Sequence, residues 1–362
     1  MSLPERPARL VTETECPLER ATGGIFVGGV SVANPLWLAP LADVSTFPVR
    51  EMFRRLGAGL THTEMISLSG LLHGNRTTVR MLPEVGEAPL VLQFFGCGAE
   101  DVRRGAAVAL TRGALPQVLQ LNMACPVRKV FRRGEGARLL ETPDIAEAMV
   151  KALGEFGLPV WVKIRLCAEG YPLSTENFVE MLFEAGADHV SVHGRTQKQL
   201  YAGKADRDAV ERIARAFPGK ISGSGDVYRV EDVLEYLRRG CVGVLVARGG
   251  MRDPFLVPRS LAALKYPVEP ALCLPSPADR VGLLMELGFR MEEREGERGA
   301  LSLMKRFLSG MFKGTRGAAH LRTTISTLRT VDDVAAVLRA WQETVEGSDD
   351  YGGEGTEEHT DA

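Results

Sequence analysis

Apolar residues in the middle of the chain fall into short runs separated by segments of longer period. Eight of the runs are β-rich: LWLAPL (36–41), GLTHTEM (59–65), PLVLQFFG (89–96), VLQLNMAC (118–125), VWVKIRL (160–166), HVSVHGR (189–195), KISGSGD (220–226) and GVLVAR (243–248). Between them lie amphipathic stretches such as AEDVRRGAAVALTR, PDIAEAMVKALGEF and VEDVLEYLRRG. Near-continuous apolar strands suit a parallel sheet covered on both faces. Eight β-then-α units in about 230 residues fit a closed barrel better than an open sheet. The expected fold class is therefore α/β, a (β/α)8 TIM barrel over residues 30–262. Thr142-Pro143-Asp144 reads as a helix N-cap followed by Pro at the first helical position, with Gly157 as the stop.

Past the barrel pattern the signal changes. The stretch Pro267 to Pro277 is proline-rich, which places a linker at 263–277. Residues 278–342 keep helical period with no convincing strand and predict a small C-terminal all-helical domain. Residues 1–29 are left as an N-terminal extension, and 343–362 as a Gly-rich acidic tail expected to be disordered.

Charge adds to this division. The whole chain has a net charge of −2, but the tail holds eight acidic residues and no Lys or Arg. Without it, 44 basic residues face 38 acidic ones, a net of +6. From Arg298 to Thr330 there is no Asp or Glu, while Arg298, Lys305, Arg306, Lys313, Arg316, Arg322 and Arg329 all fall in that window. Such one-signed clustering matches either a phosphate-backbone footprint or a solvated helix face.

No apolar run approaches the roughly 20 residues needed to cross a bilayer, and the polar N-terminus lacks the apolar core of a signal peptide. The six cysteines have no C-x-x-C spacing, which argues against a disulfide framework or a metal site. A cytoplasmic, metal-free monomer that avoids membranes is the expectation.

Barrel enzymes carry their chemistry at the C-terminal ends of the strands. Those ends read Pro40-Leu41-Ala42, Glu64, Gln93, Asn122 with Cys125, Lys163, His193 with Arg195, Ser224-Gly225-Asp226 and Ala247-Arg248-Gly249. Small residues after the last two strands let backbone N–H groups approach a phosphate, and Arg248 can add a charge-assisted bond. Cys125 ends a strand, precedes Pro126 and opens a basic loop holding Arg128, Lys129, Arg132, Arg133 and Arg138 against a single Glu135. That setting favours a functional thiol over the usual small core residue. Lys163 and His193 end strands whose alternate residues should enter the barrel. His62, His73, His189, His320 and His359 lack such context and read as structural or exposed.

Together these segments resemble the tRNA-dihydrouridine synthase family. The likeness rests on NPLWLAPLADVSTFPVR, TEM, VLQFFG, LNMACPVRKV, GEGARLL, VKIRL, HGRTQKQLYAGKAD, SGSGDV and GVLVARGGMRDPFL, in that order. The resemblance implies an FMN enzyme that takes electrons from NADPH and reduces the C5–C6 bond of uracil in tRNA. It implies FMN contacts from Pro40, Leu41, Ala42, Gln93, Lys163, Ser224, Gly225, Asp226, Ala247 and Arg248, with His193 beside flavin and base. Hydride would go from reduced FMN to C6 and a proton from Cys125 to C5. Asn122 and Lys129 would orient the base, and Arg195 would either join them or brace the top of the barrel. Arg128, Arg132 and Arg133, with Lys305, Arg306, Lys313, Arg316 and Arg322, would hold RNA phosphates, and the uridine would leave its stack to reach the site.

The chain departs from the family pattern at Ala124, Gln120, Ser224 and Leu41, and Lys305-Arg306-Phe307 lacks a histidine often found there. The thiol, the lysine and the Gly-Asp pair are all kept. Alternatives at this point are a flavin barrel oxidoreductase acting on a free metabolite, a Schiff-base lyase using Lys163, and a non-catalytic RNA-binding homologue.

Overall fold

The computed structural model describes residues 24–346, so most of the expected N-terminal extension and nearly all of the acidic tail lie outside the described residues. Two short strands come first, β1 (Ile25–Val27) and β2 (Val30–Val32). Nine more follow: β3 (Leu36–Leu38), β4 (Leu60–His62), β5 (Ile66–Ser67), β6 (Leu90–Phe95), β7 (Val118–Met123), β8 (Val160–Leu166), β9 (His189–Thr196), β10 (Ile221–Ser224) and β11 (Gly243–Val246). The ring runs β4-β3-β11-β10-β9-β8-β7-β6 and closes through β4 on β6, with every neighbour parallel. The small β5 continues the pairing along β6. This is the (β/α)8 barrel that the eight apolar runs predict.

Helices fill the connections because each carries one apolar stripe. The helix Pro143–Gly154 starts after Thr142 as expected, and Gly157 has φ 71°. Thr142 holds the cap position without the cap hydrogen bond, however, and its Oγ1 is buried without a partner. Its φ/ψ of −132°/69° lies off the usual extended N-cap geometry.

The hairpin β1–β2 closes the N-terminal mouth of the barrel, a feature the alternation of strands and helices does not announce. Its two-residue turn is Gly28-Gly29, at φ 51° and 87°, the left-handed pair that a tight hairpin turn requires. The Gly28 carbonyl accepts the indole N–H of Trp161 at 2.8 Å, and a Cβ at Gly28 would sit 2.4 Å from that nitrogen. Val27, Val30 and Val32 thereby pack with Trp37, Leu60, Val118 and Trp161 into one apolar floor. Each such side chain fully buried contributes roughly 1.5–3 kcal/mol.

Just above the floor, His189 lies 4.4 Å from the Trp161 ring and bonds Ser222 Oγ at 2.8 Å, and His62 Nδ1 meets the Leu38 carbonyl at 2.7 Å. Burial lowers both imidazoles to about 3, so they stay neutral and structural. The described residues cluster into two compact units, one of residues 24–250 with 255–269 and one of 251–254 with 270–346. The second is all-helical. After the short helix Pro270–Cys273, its long helix Pro277–Met311 is capped by Ser276 and broken at Gly296 (φ 76°), and Ala318–Thr324 and Val331–Glu346 follow. Phe312 packs edge-on to Trp341 at 4.7 Å, and Trp341 Nε1 donates to the Arg316 carbonyl.

Candidate active site

Strand alternation builds the site. On β8, Trp161, Lys163 and Arg165 share one face, which turns inward from the apolar floor at Trp161 to a polar mouth at Arg165. Lys163 pairs in register with Asn122 on β7, and Arg165 with His193 on β9, which itself pairs with Ser224 on β10. The polar ends of adjacent strands therefore converge on a cleft of about 370 Å³. That volume lies within the ~300–1,000 Å³ range of small-molecule sites.

Cys125 is placed by the backbone around it. Asn122 Oδ1 accepts the N–H groups of Ala124 (3.0 Å) and Cys125 (2.9 Å), and its Nδ2 donates to Gln93 Oε1 (2.8 Å). Ala137 N donates to the Cys125 carbonyl. Gly136, at φ 60°, permits this approach, because a Cβ there would lie 2.8 Å from the Cys125 oxygen. Burial pushes the Cys125 thiol above its ordinary value, against the lowering effect of its Val127 hydrogen bond and of Arg165. The thiol is therefore protonated at neutral pH.

Lys163 is 8% exposed, and burial with the Arg165 charge lowers its ammonium to about 7. His193 is held well below its ordinary value, first by burial and then by Lys163, Arg165, Arg195 and Arg248. Its Nε2 is buried without a hydrogen-bond partner, although the ring lines the cleft. A buried polar atom left unpaired in this way implies a group that is meant to meet it.

The turns after β10 and β11 form one wall. Burial would raise the Asp226 carboxyl, but bonds from Arg195 and Ala205 N and the charges of Arg195 and Arg248 hold it below its usual value. Tyr236 donates to the Gly225 carbonyl at 2.8 Å. Gly249 allows close backbone packing, since a Cβ there would fall 1.8 Å from the Val227 oxygen. Arg248 remains 40% exposed, between the rings of Tyr201 (4.6 Å) and Tyr228 (5.9 Å).

Of the residues singled out from the sequence, Pro40, Leu41, Ala42, Asn122, Cys125, Lys163, His193, Ser224, Gly225, Asp226, Ala247 and Arg248 line this cleft. Gln93 is fully buried beside it, bonded to Gln120 and Asn122. Arg195 is 2% exposed and ties Asp226 (2.6 and 2.9 Å) to the carbonyl of Ala202, so it braces the 196–205 loop. Arg128, Lys129, Arg132 and Arg133 are exposed on the short helix and turn beyond Cys125, with Arg133 paired to Glu135. In the helical unit Lys313, Arg316 and Arg322 are exposed and Arg306 is half-buried, while Lys305 Nζ is spent on the Leu328 carbonyl at 2.7 Å. The cleft also includes Met65, Arg165, Tyr201 and Tyr228, which the strand-end reading did not single out. Arg165 was legible in principle, two residues beyond Lys163 on the same strand face.

A closed barrel with a thiol, a lysine, a histidine and two glycine-rich turns gathered at its C-terminal mouth defines an enzyme of the strand-end barrel class. The sequence profile of the family described as dihydrouridine synthase (Dus) matches residues 37–346. The chain belongs to the dihydrouridine synthase family of enzymes. It is similar to a probable tRNA-dihydrouridine synthase 1 of Synechocystis sp., 30% identical over 315 residues, covering 85% of this chain and 86% of that protein. A probable tRNA-dihydrouridine synthase of Rhizobium leguminosarum is 33% identical over 231 residues (62% and 71% of the two chains). One from Aquifex aeolicus is 29% identical over 293 residues (80% and 90%).

Proposed function

We propose that this enzyme reduces uridine to 5,6-dihydrouridine in tRNA, using FMN and NADPH in a cytoplasmic setting. The observation that carries the reading is the position of Cys125. It lies two residues past the end of β7, four strands around the ring from β11, so a protonated thiol stands across the barrel mouth from Ala247-Arg248. A flat redox group seated on the glycine turns and a base laid over it would place that base against the thiol.

The residues present fit FMN. The unpartnered His193 Nε2, the Gly249 cradle that a Cβ would fill and the half-exposed Arg248 cation, held by a long 3.4 Å pair to Asp226, suit a phosphate-bearing polar ring system. Ser224, Gly225, Asp226, Ala247 and Arg248 would hold its phosphate, with Pro40, Leu41, Ala42, Lys163 and His193 along its ring and Gln93 supporting the floor through Asn122. Bound there, FMN supplies the hydride equivalent that NADPH provides. Asn122 fixes the loop that carries the acid, and Cys125 Sγ moves its proton to C5 of the base. Lys129 orients the base, and Arg195 keeps the cleft wall in place.

RNA is the favoured substrate over a free metabolite because exposed Arg128, Lys129 and Arg132 flank the thiol. Lys313, Arg316 and Arg322 add to the phosphate contacts from the helical unit. All five described free cysteines fit a reducing compartment. The test is the visible spectrum of the purified protein during anaerobic NADPH addition and then tRNA addition. A yellow spectrum bleached by NADPH and restored by unmodified tRNA is expected. A colourless protein that takes up no FMN contradicts the reading and favours the lyase alternative.

A further inference from the structure

Leu200 stands where the backbone favours glycine and the solvent favours a polar side chain. Its φ is 50°, in the left-handed region where a large side chain is crowded against its own backbone. The side chain is also 47% exposed. The surroundings hold this conformation in place. Leu200 N donates to the Gln197 carbonyl at 3.1 Å, and the Leu200 carbonyl accepts Arg165 Nη1 at 2.7 Å. A large apolar side chain kept in water on a strained, anchored backbone points to a contact made with a ligand.

That position is the rim of the cleft. The guanidinium that binds the Leu200 carbonyl also donates Nε to the carbonyl of Ala124, the residue before Cys125, at 2.9 Å. Gln197 Nε2 reaches the Pro126 carbonyl at 3.4 Å, so the 196–205 turn lies against the loop that carries the thiol. Val127 on that loop is 54% exposed and Tyr201 is 56% exposed, and both line the cleft. Three of the eight exposed large hydrophobic side chains among the described residues thus gather on these two loops. The charge around them has one sign. Arg128, Lys129, Lys198 and Lys204 are exposed, and segments 126–134 and 196–205 contain no Asp or Glu. An apolar rim set among cations suits a polyanion that carries flat bases, and hence a nucleic acid.

On the uridine-reducing reading above, we propose that the Leu200 side chain packs against the nucleobase adjoining the reacting uridine in the RNA chain. A uridine that enters the cleft leaves its stacking neighbours, and the face of the base left behind is turned to water. An apolar side chain at the rim covers that face and so favours the opened RNA over the stacked one. Leu200 lies outside the cleft lining but next to Tyr201, which is part of it, so the side chain serves the neighbour and not the uracil itself. The anchored backbone matters here, because a side chain on a mobile turn would lose in ordering much of what the contact gives. The cations of the same two loops answer the phosphates on either side. Every base has a π-face, so this contact tolerates any neighbour in the RNA.

Asparagine has the size of leucine and accepts the left-handed backbone more readily, so Leu200→Asn removes the apolar surface while sparing the turn. Wild-type holoenzyme is first used to map, by mass analysis, which uridine of an unmodified tRNA it reduces. If it reduces none, the uridine reading itself fails before any variant is compared. The oxidised holoenzymes are then titrated with the same tRNA over a series of salt concentrations. Leu200→Asn should bind about tenfold more weakly, with the slope against salt and the bound flavin unchanged. Leu200→Met should stay within about threefold of wild type. A tRNA with an abasic site on the 5′ or the 3′ side of the mapped uridine locates the contact. On one of the two, the difference between wild type and Leu200→Asn should shrink below about threefold. Equal binding by wild type and Leu200→Asn overturns the proposal. So does a loss that Leu200→Met shares, which marks packing of the turn, or one that persists on both abasic tRNAs. A changed salt slope or a loss of flavin in Leu200→Asn also overturns it.

Discussion

The side-chain oxygen of Asn122 accepts the backbone N–H of Cys125 at 2.9 Å, and the same oxygen accepts the N–H of Ala124. One amide therefore fixes where the thiol stands, and Gln93 fixes the amide. Asn122→Ala leaves two backbone donors and the Gln93 carbonyl without their partner. We expect a stability loss of about 1–3 kcal/mol by denaturant titration. Turnover on tRNA should fall by about 10²-fold, because the acid is no longer held in reach. Wild-type turnover in a folded Asn122→Ala protein would contradict the positioning role.

Cys125→Ala should retain flavin and accept electrons from NADPH, but reoxidation by tRNA should slow by roughly 10²–10⁴-fold. The pH profile of that step carries a sign. Burial raises the Cys125 thiol, so the protonated acid persists beyond the usual thiol range. The wild-type rate should stay level through neutral pH and fall only on the alkaline side, as the proton is lost. Rapid-mixing absorbance across pH checks this, and a rate that rises with alkaline pH is the contrary result.

Lys163 gives a stability prediction in the flavin-free protein. Its folded value of about 7 lies below the unfolded value near 10.4, so between the two the unfolded chain binds more protons. Stability gained from relieving this buried charge therefore increases as pH rises from about 7 to about 10. Lys163→Met should raise the melting temperature of the apoprotein by several degrees near pH 6, with the difference shrinking toward pH 10. Calorimetry at the two pH values measures it, and a difference that grows with pH would contradict the assignment.

Gly249→Ala probes the cofactor wall. A methyl group would meet the Val227 oxygen at 1.8 Å, so the turn must shift. FMN affinity, read by fluorescence quenching, should weaken by at least about tenfold while the far-ultraviolet circular dichroism is retained. Undiminished affinity would remove this turn from the cofactor site.

The eight strands were legible because each pairs a continuous apolar run with a punctuated polar end, and that contrast marks both the barrel and its functional mouth. Cys125, Lys163 and His193 stood out for the same reason. The β1–β2 hairpin did not, because strands of three residues carry too little period, and only Trp161, far along the chain, explains why Gly28-Gly29 is needed. Arg195 reads the same whether it touches a ligand or Asp226; only the fold shows the bidentate pair. For Arg165 the sequence carries no sign that its Nε and Nη1 bond carbonyls 31 to 41 residues away; only the closed barrel brings those segments to it.

The most direct measurement is the reaction run in heavy water, with NADPH and an unmodified tRNA transcript, followed by mass and proton analysis of the released nucleosides. The account predicts dihydrouridine with deuterium at C5, delivered from the exchanged Cys125 thiol. Unaltered uridine, or deuterium absent from C5, would contradict it.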